Sequence, residues 1–94
     1  MANVSKHQKG ETLVIRTSVK NASGVLEDPD EITFKYKMGL NGDETSLTPQ
    51  NISTGIYEVE TVTNEAGNFY GVWTSTTGTQ KTIEQVKVPV HEVF

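Results

Sequence analysis

Ile32-Thr33-Phe34-Lys35-Tyr36-Lys37-Met38 is the stretch that decides the fold. Its large apolar side chains fall on every second residue. An extended chain therefore carries Ile32, Phe34, Tyr36 and Met38 on one face and Thr33, Lys35 and Lys37 on the other. A helix would split the same four between opposite sides. β-branched and aromatic side chains also suit a pleated surface. The stretch predicts a half-buried strand with one apolar and one basic face.

The same period of two continues toward the N-terminus. Glu27-Asp28-Pro29-Asp30 is a breaker in which Pro29 turns Asp28 away from helix. Val25-Leu26 is a brief extended piece and Asn21-Ala22-Ser23-Gly24 a turn. Before it, Leu13, Ile15, Thr17 and Val19 alternate with Arg16, Ser18 and Lys20 in a second strand. Ala2 to Lys9 is polar and, through Lys6, His7 and Lys9, slightly basic. Residues 1–9 are expected to form a flexible arm ahead of a domain at 10–94.

Toward the C-terminus, Asn41-Gly42 suits a tight hairpin turn with Glu44 to Leu47 pairing back. Ile56 to Thr63 places Tyr57, Val59 and Thr61 on one face, and Asn64-Glu65-Ala66-Gly67 is expected to close it as a hairpin. Asn68 to Thr76 follows with Phe69, Gly71 and Trp73 on one side. After the turn Thr77-Gly78-Thr79, the last strand sets Val86, Val88 and Val90 against Gln85, Lys87 and Pro89, and Pro89 marks an edge strand or its end. Gly55 before Tyr57 and Gly67 before Phe69 repeat one device, a glycine that turns the chain just ahead of an aromatic entering the core.

No segment reads as an amphipathic helix. The pattern predicts an all-β chain, a single immunoglobulin-like β-sandwich of about seven short antiparallel strands. Its expected core is Ile15, Phe34, Tyr36, Tyr57, Val59, Phe69, Trp73 and Val88.

Composition bounds the function. The chain has 94 residues, 34% hydrophobic and 21% charged, with no cysteine. That length holds one core, and no disulfide or thiolate site reinforces it. A core of this size supplies ~3–5 kcal/mol, so a partner that binds only the folded state adds useful stability. Docking or oligomerisation is expected. A net charge of -4 argues against nucleic acid. No run approaches the roughly 18 consecutive apolar residues of a membrane helix, and no apolar signal region follows Met1, so a cytoplasmic chain is expected.

Catalysis needs a nucleophile, base or metal held in a concave site. His7 lies in the expected arm and His91 near the C-terminus, where neither imidazole is expected to be held as a base. No Ser or Thr sits in a nucleophile elbow. No enzyme, cofactor or metal is expected. Glu27, Asp28, Asp30 and Glu31, with Asp43 and Glu44, are carboxylates that could meet Ca²⁺, but they lack the spacing of a dedicated loop and read as a solvated acidic turn. Lys35, Lys37, Lys81 and Lys87 allow two readings: a basic stripe for an acidic protein surface, or lysines that guard sheet edges against aggregation.

Taken together, Gly24-Val25-Leu26-Glu27-Asp28-Pro29, Ile32-Thr33-Phe34-Lys35-Tyr36, Thr54-Gly55-Ile56-Tyr57 and Ala66-Gly67 leading to Trp73 resemble a family of small tailed-bacteriophage virion proteins with an Ig-like fold. That family includes capsid decoration, or cement, proteins. The similarity spans about Gly10 to Val90 and rests on strand starts and turns. It implies a structural protein on the capsid surface, assembled in host cytoplasm, that binds and stabilises the shell of major capsid protein, as a dimer or trimer and without a cofactor. Partner contacts would come from Lys6, His7 and Lys9 of the arm and from Val93 and Phe94 at the C-terminus, the last two being apolar residues that either pack back on the sandwich or insert into a partner. The alternatives are a head-tail connector, tail or fibre component, or an Ig-like binding module of a bacterial surface protein.

Overall fold

The alternating stretch around Phe34 becomes an eight-residue strand, Glu31–Met38, inside the larger of two sheets. The structure is a computed structural model and describes residues 7–92. Its strands are β1 (His7–Gln8), β2 (Thr12–Ser18), β3 (Glu31–Met38), β4 (Thr45–Leu47), β5 (Gln50–Ser53), β6 (Ile56–Val62), β7 (Gly67–Thr77) and β8 (Gln80–His91). No helix occurs among the described residues. One sheet has the order β1-β8-β7-β3-β4 and the other β2-β6-β5.

Register carries the alternation from strand to strand. Phe34 stands opposite Trp73, Tyr36 opposite Gly71 and Met38 opposite Phe69, while Phe69 and Gly71 face Val88 and Val86 on the next strand. In the smaller sheet Ile15 pairs with Val59 and Thr17 with Tyr57. One buried cluster therefore draws Leu13, Ile15 and Val59 from the small sheet and Phe34, Phe69, Trp73 and Val90 from the large one. Phe34 and Phe69 have no exposed surface. The Phe34 ring lies 4.8 Å from Trp73, tilted by 59°, and Tyr36 stacks on Phe69 at 4.8 Å, geometries that add to simple burial. Gly71 makes room for this packing: a Cβ there would lie 2.6 Å from Cζ of Phe34.

Two carboxylates pin the turns that frame the core. Asp28 Oδ1 accepts the Gly55 amide at 2.7 Å, where φ is +74° and a Cβ would lie 2.8 Å from the Val19 carbonyl oxygen. Only glycine fits that position without strain. Asp30 Oδ2 accepts the Gly78 amide at 2.8 Å. Gly78, at φ +59°, is the first central residue of the two-residue turn joining β7 and β8, the position a type II′ turn reserves for glycine.

Several expectations are corrected. Asn64 to Gly67 is no hairpin: β6 belongs to the small sheet and β7 to the large, so the segment crosses between sheets. Tyr57 and Phe69 must both reach one core from opposite sides, and a hairpin would have put them in one sheet. Asn41-Gly42 is part of a six-residue connection between β3 and β4, not a two-residue turn. The left-handed residue there is Gly39, and Gly42 packs so tightly on the Met38 carbonyl that a Cβ would overlap it. The strands number eight among the described residues, β7 and β8 run to 11 and 12 residues, and β1 pairs with β8 in parallel. Tyr36, Tyr57 and Val88 line the core only partly buried, whereas Leu13 and Val90 are in it.

Candidate protein-interaction face

Register places all four singled-out lysines on the outer face of the five-stranded sheet. With Phe34, Phe69, Trp73 and Val88 pointing inward, the intervening residues of β3, β7 and β8 point outward. One outer row reads Lys37, Tyr70, Lys87 across the three strands, the next Lys35, Val72, Gln85, the next Thr33, Thr74, Ile83, and the last Glu31, Thr76, Lys81. Half of the chain's eight basic residues thus share one face of a protein whose net charge is -4. A hollow of about 350 Å³ on this face is lined by Lys35, Lys37, Tyr70, Val72, Thr74 and Lys81, among others.

Edge protection does not account for the whole set. β3 lies between β7 and β4, so Lys35 and Lys37 stand on an interior strand. The ion pairs formed among the described residues are Lys9 with Glu92 at 3.4 Å and Arg16 with Glu58 at 2.7 Å. None of the four face lysines is in them. Lys37 Nζ donates to the Leu40 carbonyl oxygen at 3.0 Å, which anchors its stem over the sheet. Tyr70 was not singled out in the sequence, although its place between the buried Phe69 and Gly71 already put it on the opposite face.

Residues 7–9, expected within the arm, are tied to β8, and residues 1–6 lie outside the described residues. Gln8 and His7 pair with His91 and Val90, the Lys9 amide donates to the His91 carbonyl at 2.8 Å, and Lys9 bridges Glu92. The half-buried His7 ring meets Thr63 Oγ1 through Nε2 at 2.8 Å. Thr63, 3% exposed, also donates toward the Glu11 carbonyl at 3.2 Å. Sequence reading missed Thr63 because a threonine at a strand end carries no signal of burial. Lys6, Val93 and Phe94 lie outside the described residues, so of the five expected contact residues His7 and Lys9 can be placed. They sit side by side with the C-terminal end of β8.

The acidic stretch is divided among separate structural duties. Glu27 accepts from the Asn21 side chain at 3.1 Å, Asp28 holds Gly55 and Asp30 holds Gly78. Partial burial, then the Asp28 charge and a hydrogen bond to it, push the Tyr57 phenol above its ordinary 10.0. Among the described residues no group of three or more His, Cys, Asp or Glu side chains is placed to hold a metal ion, and no helix is long and apolar enough to cross a membrane.

No protein-family model matches the chain, and no curated protein matches it. A solved structure does: a DUF4785 family protein from Legionella pneumophila superposes with a TM-score of 0.60 at 14% sequence identity, over 93% of this chain and 26% of that one. The chain thus spans about a quarter of the length of the protein it resembles, and at this identity the likeness is one of fold.

Proposed function

We propose that the chain is a non-catalytic, immunoglobulin-like sandwich domain that docks an acidic protein surface through the lysine face of its five-stranded sheet. The observation that carries this reading is the convergence of Lys35, Lys37, Lys81 and Lys87 on one sheet face around Tyr70. Concentrated positive charge steers an acidic partner into place and rejects a basic one, and a rigid sheet holds the lysines in fixed register. The Ig-like part is supported by sheet order: β8-β7-β3 with β4 matches the G-F-C-C′ sheet and β2-β6-β5 the opposing B-E-D sheet. A least dimension of 17 Å suits two stacked layers. The domain departs from antibody-type members in having no cysteine pair and in carrying its tryptophan on β7.

The sequence resemblance supports a virion shell as the setting, with the major capsid protein as the acidic partner and this chain as its decoration. A second reading is a binding module of a larger bacterial protein, favoured by the occurrence of the fold within a longer bacterial chain. Both use the same face. Shells assembled from the major capsid protein of the same genome test the first: the purified chain should co-sediment with them, and Lys35→Glu/Lys37→Glu should weaken binding at least tenfold while leaving the melting temperature within a few degrees. No binding to the shell by the parent chain would leave the bacterial reading. Unchanged binding by the double variant would remove the lysine face from both.

A further inference from the structure

Beside the lysine face runs a strand edge that is open among the described residues along most of β8. The carbonyls of Asn68 and Thr76 are taken by the amides of Gly39 and Asp30, on the β3 side of β7. Even-numbered residues of β7 therefore bond toward β3 and odd-numbered ones toward β8, since antiparallel pairing alternates the direction of the backbone groups. The register partners of those odd residues are the even residues of β8, from Gln80 to Val90. The odd residues of β8 face the other way. His91 confirms the parity: its carbonyl accepts the Lys9 amide on that outer side. β1 covers β8 only at Val90 and His91. Among the described residues nothing pairs with the backbone groups of Lys81, Ile83, Gln85 and Lys87.

We infer that this edge of β8 receives an extended, acidic segment of the partner as an added strand. Four residues offer both N–H and C=O in one row, the arrangement used in strand addition. Their side chains, all on the outer face, state what the incoming strand must carry. Lys81 and Lys87 at the two ends call for carboxylates six residues apart, and Ile83, 61% exposed, calls for an apolar side chain beside it. A second copy of this chain is disfavoured as occupant, because joining two such edges would merge two lysine faces into one sheet. Pro89 completes the design. At odd parity its missing N–H falls on the outer edge and leaves the β7 ladder intact, so the row ends where β1 begins.

The inference rests on the reading that the lysine face meets an acidic protein, and it adds a backbone-mediated contact to it. Amide exchange of the full chain, read residue by residue by NMR, tests it. In the free chain Lys81, Ile83, Gln85 and Lys87 should exchange fast while Thr82, Glu84 and Val86 are protected. The probe is the capped heptapeptide Glu-Thr-Val-Thr-Gln-Thr-Glu, with its reverse, at millimolar concentration. One of the two should slow the four odd amides at least tenfold, and the same peptides with lysine for glutamate should not. Gln85→Pro, which repeats the parity of Pro89, should abolish the response and keep the even amides protected. Odd amides already protected in the free chain would show the edge covered by residues 1–6 or by a second copy, and would overturn the inference. So would no response to either acidic peptide, or an equal response to the basic ones. Lys35→Glu/Lys37→Glu separates this from the broader reading: it should lose shell binding yet keep the peptide response, whereas Gln85→Pro should keep the charge of the face and lose the strand.

Discussion

Gly71→Ala puts the packing of the core to a quantitative test. Gly71 has no left-handed backbone to protect, so the change is one of space alone. The added methyl would lie 2.6 Å from Cζ and 3.0 Å from Cε1 of Phe34, and 3.3 Å from Cε1 of Phe69. Both rings are fully buried and stacked among Trp73 and Tyr36, so neither can swing into solvent. Overpacking of this kind costs roughly 1–3 kcal/mol. Against it, alanine restricts the unfolded chain and returns about 0.4–1 kcal/mol. The balance is a destabilisation of roughly 1–2 kcal/mol, which for a domain of this size lowers the melting temperature by about 4–8 °C per kcal/mol. Urea and thermal unfolding measure it. Phe34→Leu, which removes the clashing atoms, should make the same glycine substitution cost less by about 1 kcal/mol, a coupling expected of residues in contact. A melting temperature unchanged or raised by Gly71→Ala, or strict additivity with Phe34→Leu, would refute the claim that glycine is required here for ring packing.

Tyr57 makes a pH-dependent contribution. Its phenol is held above 10.0 in the folded chain, so on raising the pH the unfolded chain loses that proton first. The associated stability is intact below pH 10 and is lost as pH rises through the folded value. Tyr57→Phe should therefore show a shallower fall in urea midpoint between pH 9 and 11 than the parent, and parallel curves would rule the coupling out. Thr63→Val removes a buried hydroxyl that His7 and the Glu11 carbonyl both use. It should cost about 1–3 kcal/mol, the scale of groups left unsatisfied on burial. It should also speed amide exchange at Lys9, whose bond to His91 depends on β1 staying docked.

The strands and their inward faces were legible because a period of two in the hydrophobic pattern is a local property. Leu13 and Ile15, Ile32 to Met38, Phe69 and Trp73, and Val86 to Val90 all point where their alternation says. The connections were less legible. Asn64 to Gly67 has hairpin composition, yet whether a turn returns a chain to its own sheet or crosses to another depends on which strands pair, and that is set by contacts distant in sequence. The same limit hid the docking of His7 and Gln8: a polar dipeptide has no apolar pattern, and only the proximity of β8 makes it a strand.

The candidate site divides along the same line. Alternation along the chain is enough to put Lys35 and Lys37 on one face of their strand and Lys81 and Lys87 on one face of theirs, because side-chain direction along a strand alternates whatever surrounds it. Long-range strand pairing makes these one surface, with Tyr70 between them and an edge at its side that is unpaired among the described residues. Pairing of β3 and β8 to the two sides of β7 is a long-range choice made by the core, where Phe34, Gly71, Trp73 and Val88 fit together, and the lysines on the opposite face follow from it.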